Sequence, residues 1–149
     1  MSAIPSIEFS DAKARLSDVM TEVVHGHLPR LVRRHRGKEE MVLLRPDDLA
    51  RSLSSFRFDT RLVVRKGEVT AQLAELGVLG FGETTDEAMS DLVVELRTYA
   101  RRFFERAAFY LETERAAHLP WLLRFAMTPE GEQLALLSRD LDPEVSKVG

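Results

Sequence analysis

Five basic side chains fall between positions 30 and 38, namely Arg30, Arg33, Arg34, Arg36 and Lys38, with no acid among them. Guanidinium forks at that density suit phosphate oxygens, and a local basic patch can neutralise them even on an acidic chain. Lys13 and Arg15 follow Ser10 at what reads as a helix start, and helix N-termini with nearby bases also hold phosphate. The plainer alternative is a solvated hairpin and an exposed helical turn.

Other chemistries find less support. His25 and His27 flank Gly26, His35 sits among the arginines, and His118 stands apart. A zinc site needs three or four convergent ligands, and no HExxH pair exists, so no metal or other cofactor is expected. Asp47-Asp48 suit a helix start, while Asp140 and Asp142 lie in a polar tail. Gly77, Gly80 and Gly82 lack the Gly-Lys-Ser/Thr that completes a phosphate loop. No nucleophile–base pair stands out, so neither an enzyme nor a small-molecule substrate is expected.

The elements that would position the basic residues follow from pattern. Ile7 to Phe9 reads as a short extended piece, with Ser10 as N-cap of a helix starting at Asp11. Leu16, Val19, Met20, Val23 and Val24 give that helix one apolar stripe, and Gly26 ends it. Leu28 to Arg34 is extended, Arg36-Gly37 turns, and Met41 to Leu44 is a second strand. Pro46 opens a short helix with Asp47 and Asp48 in its first turn. The order is β-α-β-β-α.

This segment, about residues 7–53, resembles the N-terminal domain of the Phd/YefM antitoxins. The matching pieces are Phe9-Ser10, the helix start Ser10-Asp11-Ala12-Lys13 with Leu16, Gly26, the Arg33-to-Lys38 hairpin and Val42-Leu43-Leu44. The sequence departs from the pattern at Glu39-Glu40, where an apolar or proline pair is more usual, and at Leu49, where tyrosine is frequent. The resemblance implies a homodimer that contacts its own operator DNA through the Lys13 and Arg34 positions. Ser10, Arg15, Arg33, Arg36 and Lys38 are the further candidates for DNA contact.

Beyond Ser54-Ser55 the pattern changes, which divides the chain into residues 1–55, for dimerisation and DNA binding, and 56–149, for a partner. Phe58, Thr60, Leu62 and Val64 alternate with polar residues, Lys66-Gly67 turns, and Val69, Ala71 and Leu73 alternate again. Val78 to Phe81 is a third strand. Thr84 with Glu87 forms a capping box before a helix striped by Ala88, Leu92, Val93, Leu96, Tyr99, Ala100 and Phe103. This β-β-β-α unit, over about residues 58–102, resembles the core of HicB-like antitoxins through Gly82-Glu83-Thr84-Thr85-Asp86-Glu87-Ala88.

The last third is helical. Glu105 to Glu114 continues or restarts the long helix, Pro120 opens another, and Thr128-Pro129 caps and opens a final one. From Asp140 onward the tail reads as frayed. Phe104, Phe109, Tyr110, Trp121 and Phe125 belong to a dense aromatic cluster. It either packs helices together or offers a face to a partner protein, since aromatic residues concentrate at interface hot spots.

Composition bounds the rest. The 149 residues are 44% hydrophobic and 30% charged with no cysteine, so disulfides and thiolate metal sites are excluded and a reducing, cytoplasmic setting is expected. No signal peptide or membrane span is read from the chain. The net charge of −3 argues against a general nucleic-acid binder, but residues 1–55 carry +1 and the remainder −4. About 55 residues with one amphipathic helix bury little core alone, so a second copy is expected to complete the first unit. The expectation is an α+β antitoxin, an autorepressor binding a cognate protein toxin through its second half. The alternative is a protein-interaction scaffold of the same fold without DNA binding.

Overall fold

The computed structural model describes residues 3–139 and 141, with the backbone of 146–147. The fold is mixed α+β, with two small sheets and several helices. It divides into two compact units, Met1–Ser52 and Leu53–Gly149.

In the first unit, β1 (Ser6–Glu8) pairs parallel to β2 (Arg30–Arg34), which pairs antiparallel to β3 (Glu39–Leu43). The crossover between the parallel strands carries α1 (Phe9–Ala14) and α2 (Leu16–Gly26), and α3 (Pro46–Ser52) follows the sheet. The single helix expected from Asp11 is therefore two. Arg15 leaves helical geometry at φ −123°, while its N–H still donates to Asp11 O and its carbonyl accepts from Val19 N–H, both at 3.0 Å.

Two local expectations are corrected and a third, the helix end at Gly26, is refined. Helix α1 begins one residue after β1, so Ser10 lies inside it; Glu8 occupies the N-cap and no side chain caps there. Gly26 is the last helical residue, and the left-handed cap is His27 at φ 53°. The stripe on α2 is only partly buried: Val19 and Val23 join Ile7, Ala12 and Val32 in a small core, whereas Leu16 and Met20 are 59% and 63% exposed.

In the second unit the sheet order is β6-β5-β4-β7. Strands β4 (Thr60–Arg65) and β5 (Glu68–Leu73) join through a tight turn in which Lys66 and Gly67 both have positive φ, the geometry that matches strand twist. Strand β6 (Val78–Gly82) pairs with β5, and β7 (Ser146–Lys147) runs parallel to β4. Helix α4 (Thr85–Glu105) covers one face. Its capping box forms with a shifted return bond: Glu87 N–H donates to Thr84 Oγ1 at 3.1 Å, and the Glu87 carboxylate accepts from the N–H of Glu83, one residue before the N-cap, at 2.8 Å. A Cβ on Gly80 would sit 2.5 Å from the Ala88 carbonyl oxygen, so the missing side chain is what lets β6 and α4 meet.

Helix α5 (Ala107–Tyr110), a 3-10 helix (Glu114–His118), α6 (Leu119–Ala126) and α7 (Glu130–Ser138) complete this unit. Pro120 lies in the first turn of α6 as expected. Thr128 does not cap α7; its hydroxyl donates to Arg124 O at 2.8 Å, back along the preceding helix. The frayed reading of the tail falls mostly on residues outside those described, although Ser146–Lys147 pairs with Val63 and Val64. No helix among the described residues is long and apolar enough to cross a membrane.

Candidate nucleic-acid and partner interfaces

The register of the first sheet decides what the basic hairpin presents. Strands β1 and β2 run in parallel with Glu8 opposite Arg33, so the start of α1 and the turn after β2 emerge at the same end of the sheet. The turn is built from His35, Arg36 and Gly37, all with positive φ. Across it, Arg33 lies opposite Glu40 and Arg34 opposite Glu39.

Both arginines are already engaged. Arg34 donates from Nε to Glu39 Oε2 at 2.6 Å, a second guanidinium nitrogen pairs with the same oxygen, and its Cζ lies 5.5 Å from the Phe9 ring centroid. Arg33 Nε sits 3.6 Å from Glu40 Oε2, and its guanidinium passes over Gly37, where a Cβ would collide with it. Arg30 is bound to Glu22 with its side chain mostly buried, so it is a structural cation. Arg15 is within 4.0 Å of Asp18. Lys13, Arg36 and Lys38 are exposed, and no ion pair among the described residues engages them. Among the described residues of this unit five large apolar side chains are also exposed: Phe9, Leu16, Met20, Met41 and Val42.

The aromatic candidates in the second unit separate into two groups. Phe104 and Phe109 are exposed, at 37% and 54%, and the Arg106 guanidinium lies 4.8 Å from the Phe109 ring. Tyr110 is half-buried and stacks on the buried Phe103 at 5.3 Å. Trp121 is held by its Nε1–H donating to Arg57 O at 3.0 Å and by an edge contact with Phe56. Phe125 is 1% exposed and packs in the core, which removes it from any partner face.

No group of three or more His, Cys, Asp or Glu side chains that could hold a metal ion gathers among the described residues. His27 is used structurally: its Nδ1 lies 3.0 Å from Asp48 Oδ2, and Arg45 reaches both its Nε2 and the Val24 carbonyl, tying the end of α2 to α3. His118 Nδ1 meets the Tyr99 hydroxyl at 2.6 Å. Burial, then the nearby Arg115 charge, lowers the His118 pKa below its ordinary value, partly offset by a bond to the Glu75 main chain. Burial raises the Tyr99 pKa, against the pull of Arg115.

Residues 3–137 match the PHD_like family model, described as "Antitoxin of toxin-antitoxin, RelE / RelB, TA system". The chain belongs to this antitoxin family. Its fold is similar to the crystal structure of an antitoxin part of a candidate toxin/antitoxin system from Syntrophomonas wolfei subsp. wolfei. That likeness has a TM-score of 0.77 at 16% identity, covering 97% of this chain and 100% of the other. No curated protein sequence matches the chain.

Membership of an antitoxin family implies a toxin partner. What sequence reading missed at the hairpin is the occupancy of its arginines. The signal was available: a four-residue turn from His35 to Lys38 sets Arg34 opposite Glu39 and Arg33 opposite Glu40. The role of Phe9 under Arg34 depends on β1 lying beside β2 and had no local signature.

Proposed function

We propose that this antitoxin represses its own operon as a homodimer. Met1–Ser52 is the Phd/YefM-like dimerisation and DNA-binding unit, and the second unit receives the toxin. The observation that carries this reading is the mismatch on the first unit. A core of only Ile7, Ala12, Val19, Val23 and Val32 leaves Leu16, Met20, Met41 and Val42 of the same unit exposed. A second copy covering those side chains would gain roughly 25 cal/mol per Å² of apolar surface removed from water. It would also duplicate the hairpin about a two-fold axis, which suits an operator with two half-sites. Lys13, Arg36 and Lys38 then contact phosphates, with Ser10 and Arg15 beside them, and Arg33 and Arg34 reach phosphates or base edges. The second unit offers Phe104 and Phe109, with Tyr110 packed edge-on against Phe109, and the separate Trp121 to the toxin.

The test is a mobility-shift titration against the duplex upstream of its own gene, with a scrambled duplex alongside. Selective binding that weakens steeply with salt supports the reading. A folded dimer that shifts neither duplex overturns it. That outcome favours the second reading, a protein-interaction scaffold, whose specific support is the pairing of Arg33 and Arg34 with Glu40 and Glu39.

A further inference from the structure

We infer that Glu39 and Glu40 set the DNA selectivity of the hairpin by holding Arg34 and Arg33 as intramolecular phosphate mimics, an inference that rests on the operator-binding reading. Glu39 presents a carboxylate oxygen to Nε and a terminal nitrogen of Arg34, the fork a phosphate would occupy, while Phe9 supports the guanidinium from its side. Glu40 holds Arg33 by charge alone: its Oε2 lies 3.6 Å from Arg33 Nε, beyond hydrogen-bond distance. The Arg34 and Glu39 side chains are 50% and 52% exposed, so the pair is open to solvent and to exchange.

The consequence is a difference between DNA sequences. An isolated phosphate offers Arg34 little more than Glu39 already supplies, and binding it leaves an unpaired carboxylate facing the DNA backbone. A site that adds bidentate contact to a base edge, such as guanine O6 and N7, gives the arginine something the carboxylate lacks. Random duplex is therefore penalised more than operator, and specificity comes from a competing internal contact. Lys13, Arg36 and Lys38 carry no such competitor among the described residues and remain the general phosphate contacts.

The experiment compares wild type, E39Q, E40Q, the double variant and D47N on operator and scrambled duplexes over a range of salt. Asp47, in the first turn of α3, pairs with Arg45 just before that helix, so D47N alters net charge without releasing a hairpin arginine. Each glutamine should tighten binding to the scrambled duplex by up to about fivefold, as expected for release from an exposed ion pair, with a smaller gain on operator. The salt slope should steepen by roughly one per arginine released. Unchanged affinities, equal gains on both duplexes, or an equal gain from D47N would overturn the inference while leaving operator binding intact. Wild type and every variant failing on both duplexes would instead remove the operator-binding reading, and this inference with it.

Discussion

The Thr60 hydroxyl donates to the main-chain carbonyl of Leu137 at 2.8 Å, joining two residues 77 positions apart. Both are fully buried. Leu137 lies in the last turn of α7, where carbonyls lose their helical partners, and the first strand of the sheet supplies the missing donor. Thr60→Val keeps the shape and removes the hydroxyl, stranding that carbonyl at a cost of about 1–3 kcal/mol. Urea unfolding monitored by circular dichroism should show the loss; an unchanged midpoint would mean that water or another donor replaces Thr60.

Gly80 meets α4 where any side chain would strike the Ala88 carbonyl and the Leu92 backbone. Because both obstacles are main chain, Gly80→Ala must push strand and helix apart, costing about 1–3 kcal/mol or more. Thermal melting should drop accordingly. Gly67 has open space around its Cβ position but a φ of 78°, so alanine there costs backbone strain without a collision.

Covering Leu16 and Met20 is the proposed reason for dimerisation. The double variant Leu16→Glu, Met20→Glu should convert the dimer to monomer in light scattering and reduce operator affinity at least tenfold. Both side chains are exposed in the isolated chain, so the helical circular dichroism should persist. A stable dimer carrying both glutamates would place the interface elsewhere.

His118 gives the second unit an acid-sensitive contact. Its folded pKa is lowered, so below about 6.5 the unfolded chain takes up its proton first, and stability falls as pH drops from there toward the folded value. Protonation also makes both ring nitrogens donors, which fixes the sense of the contact between Nδ1 and the Tyr99 hydroxyl. Tyr99, with a raised pKa, contributes stability below pH 10 that is lost as pH rises through its folded value. Melting temperatures at pH 5.5 and 7.5 should differ less in His118→Gln than in wild type. An identical pH profile would show that other groups govern the acid limb.

Phe109 and Phe125 should behave oppositely. Phe109→Ala, alone or with Phe104→Ala, should weaken retention of the toxin with little change in melting temperature. Phe125→Ala should cost about 3–5 kcal/mol of stability, as a core aromatic does. Retention of toxin unchanged by the Phe104 and Phe109 variants would remove that face from the proposed contact.

Local chemistry made much of the chain legible. The Lys66-Gly67 turn, the Thr84–Glu87 capping box and the stripe from Ala88 to Phe103 each depend on residues a few positions apart, and each forms as read. The failures were of two kinds. Ser10 and Thr128 are good capping residues whose places were decided by neighbours: α1 starts directly from β1, and Thr128 turns back to Arg124. Phe125 shares its composition signal with Phe109, and only packing separates a core ring from an exposed one.

The sequence by itself determined most of the order of strands and helices, the basic hairpin and the resemblance that led to an antitoxin. These are carried by residue type and by periods of two and three-and-a-half residues, which need no distant partner. The tertiary structure alone decided that β1 lies beside β2, bringing Phe9 to Arg34, and that Thr60 completes the end of α7. It also decided that Leu16 and Met20 remain uncovered within one chain. Burial and long-range hydrogen bonding are properties of which surfaces meet, and residue spacing along the chain leaves that choice open.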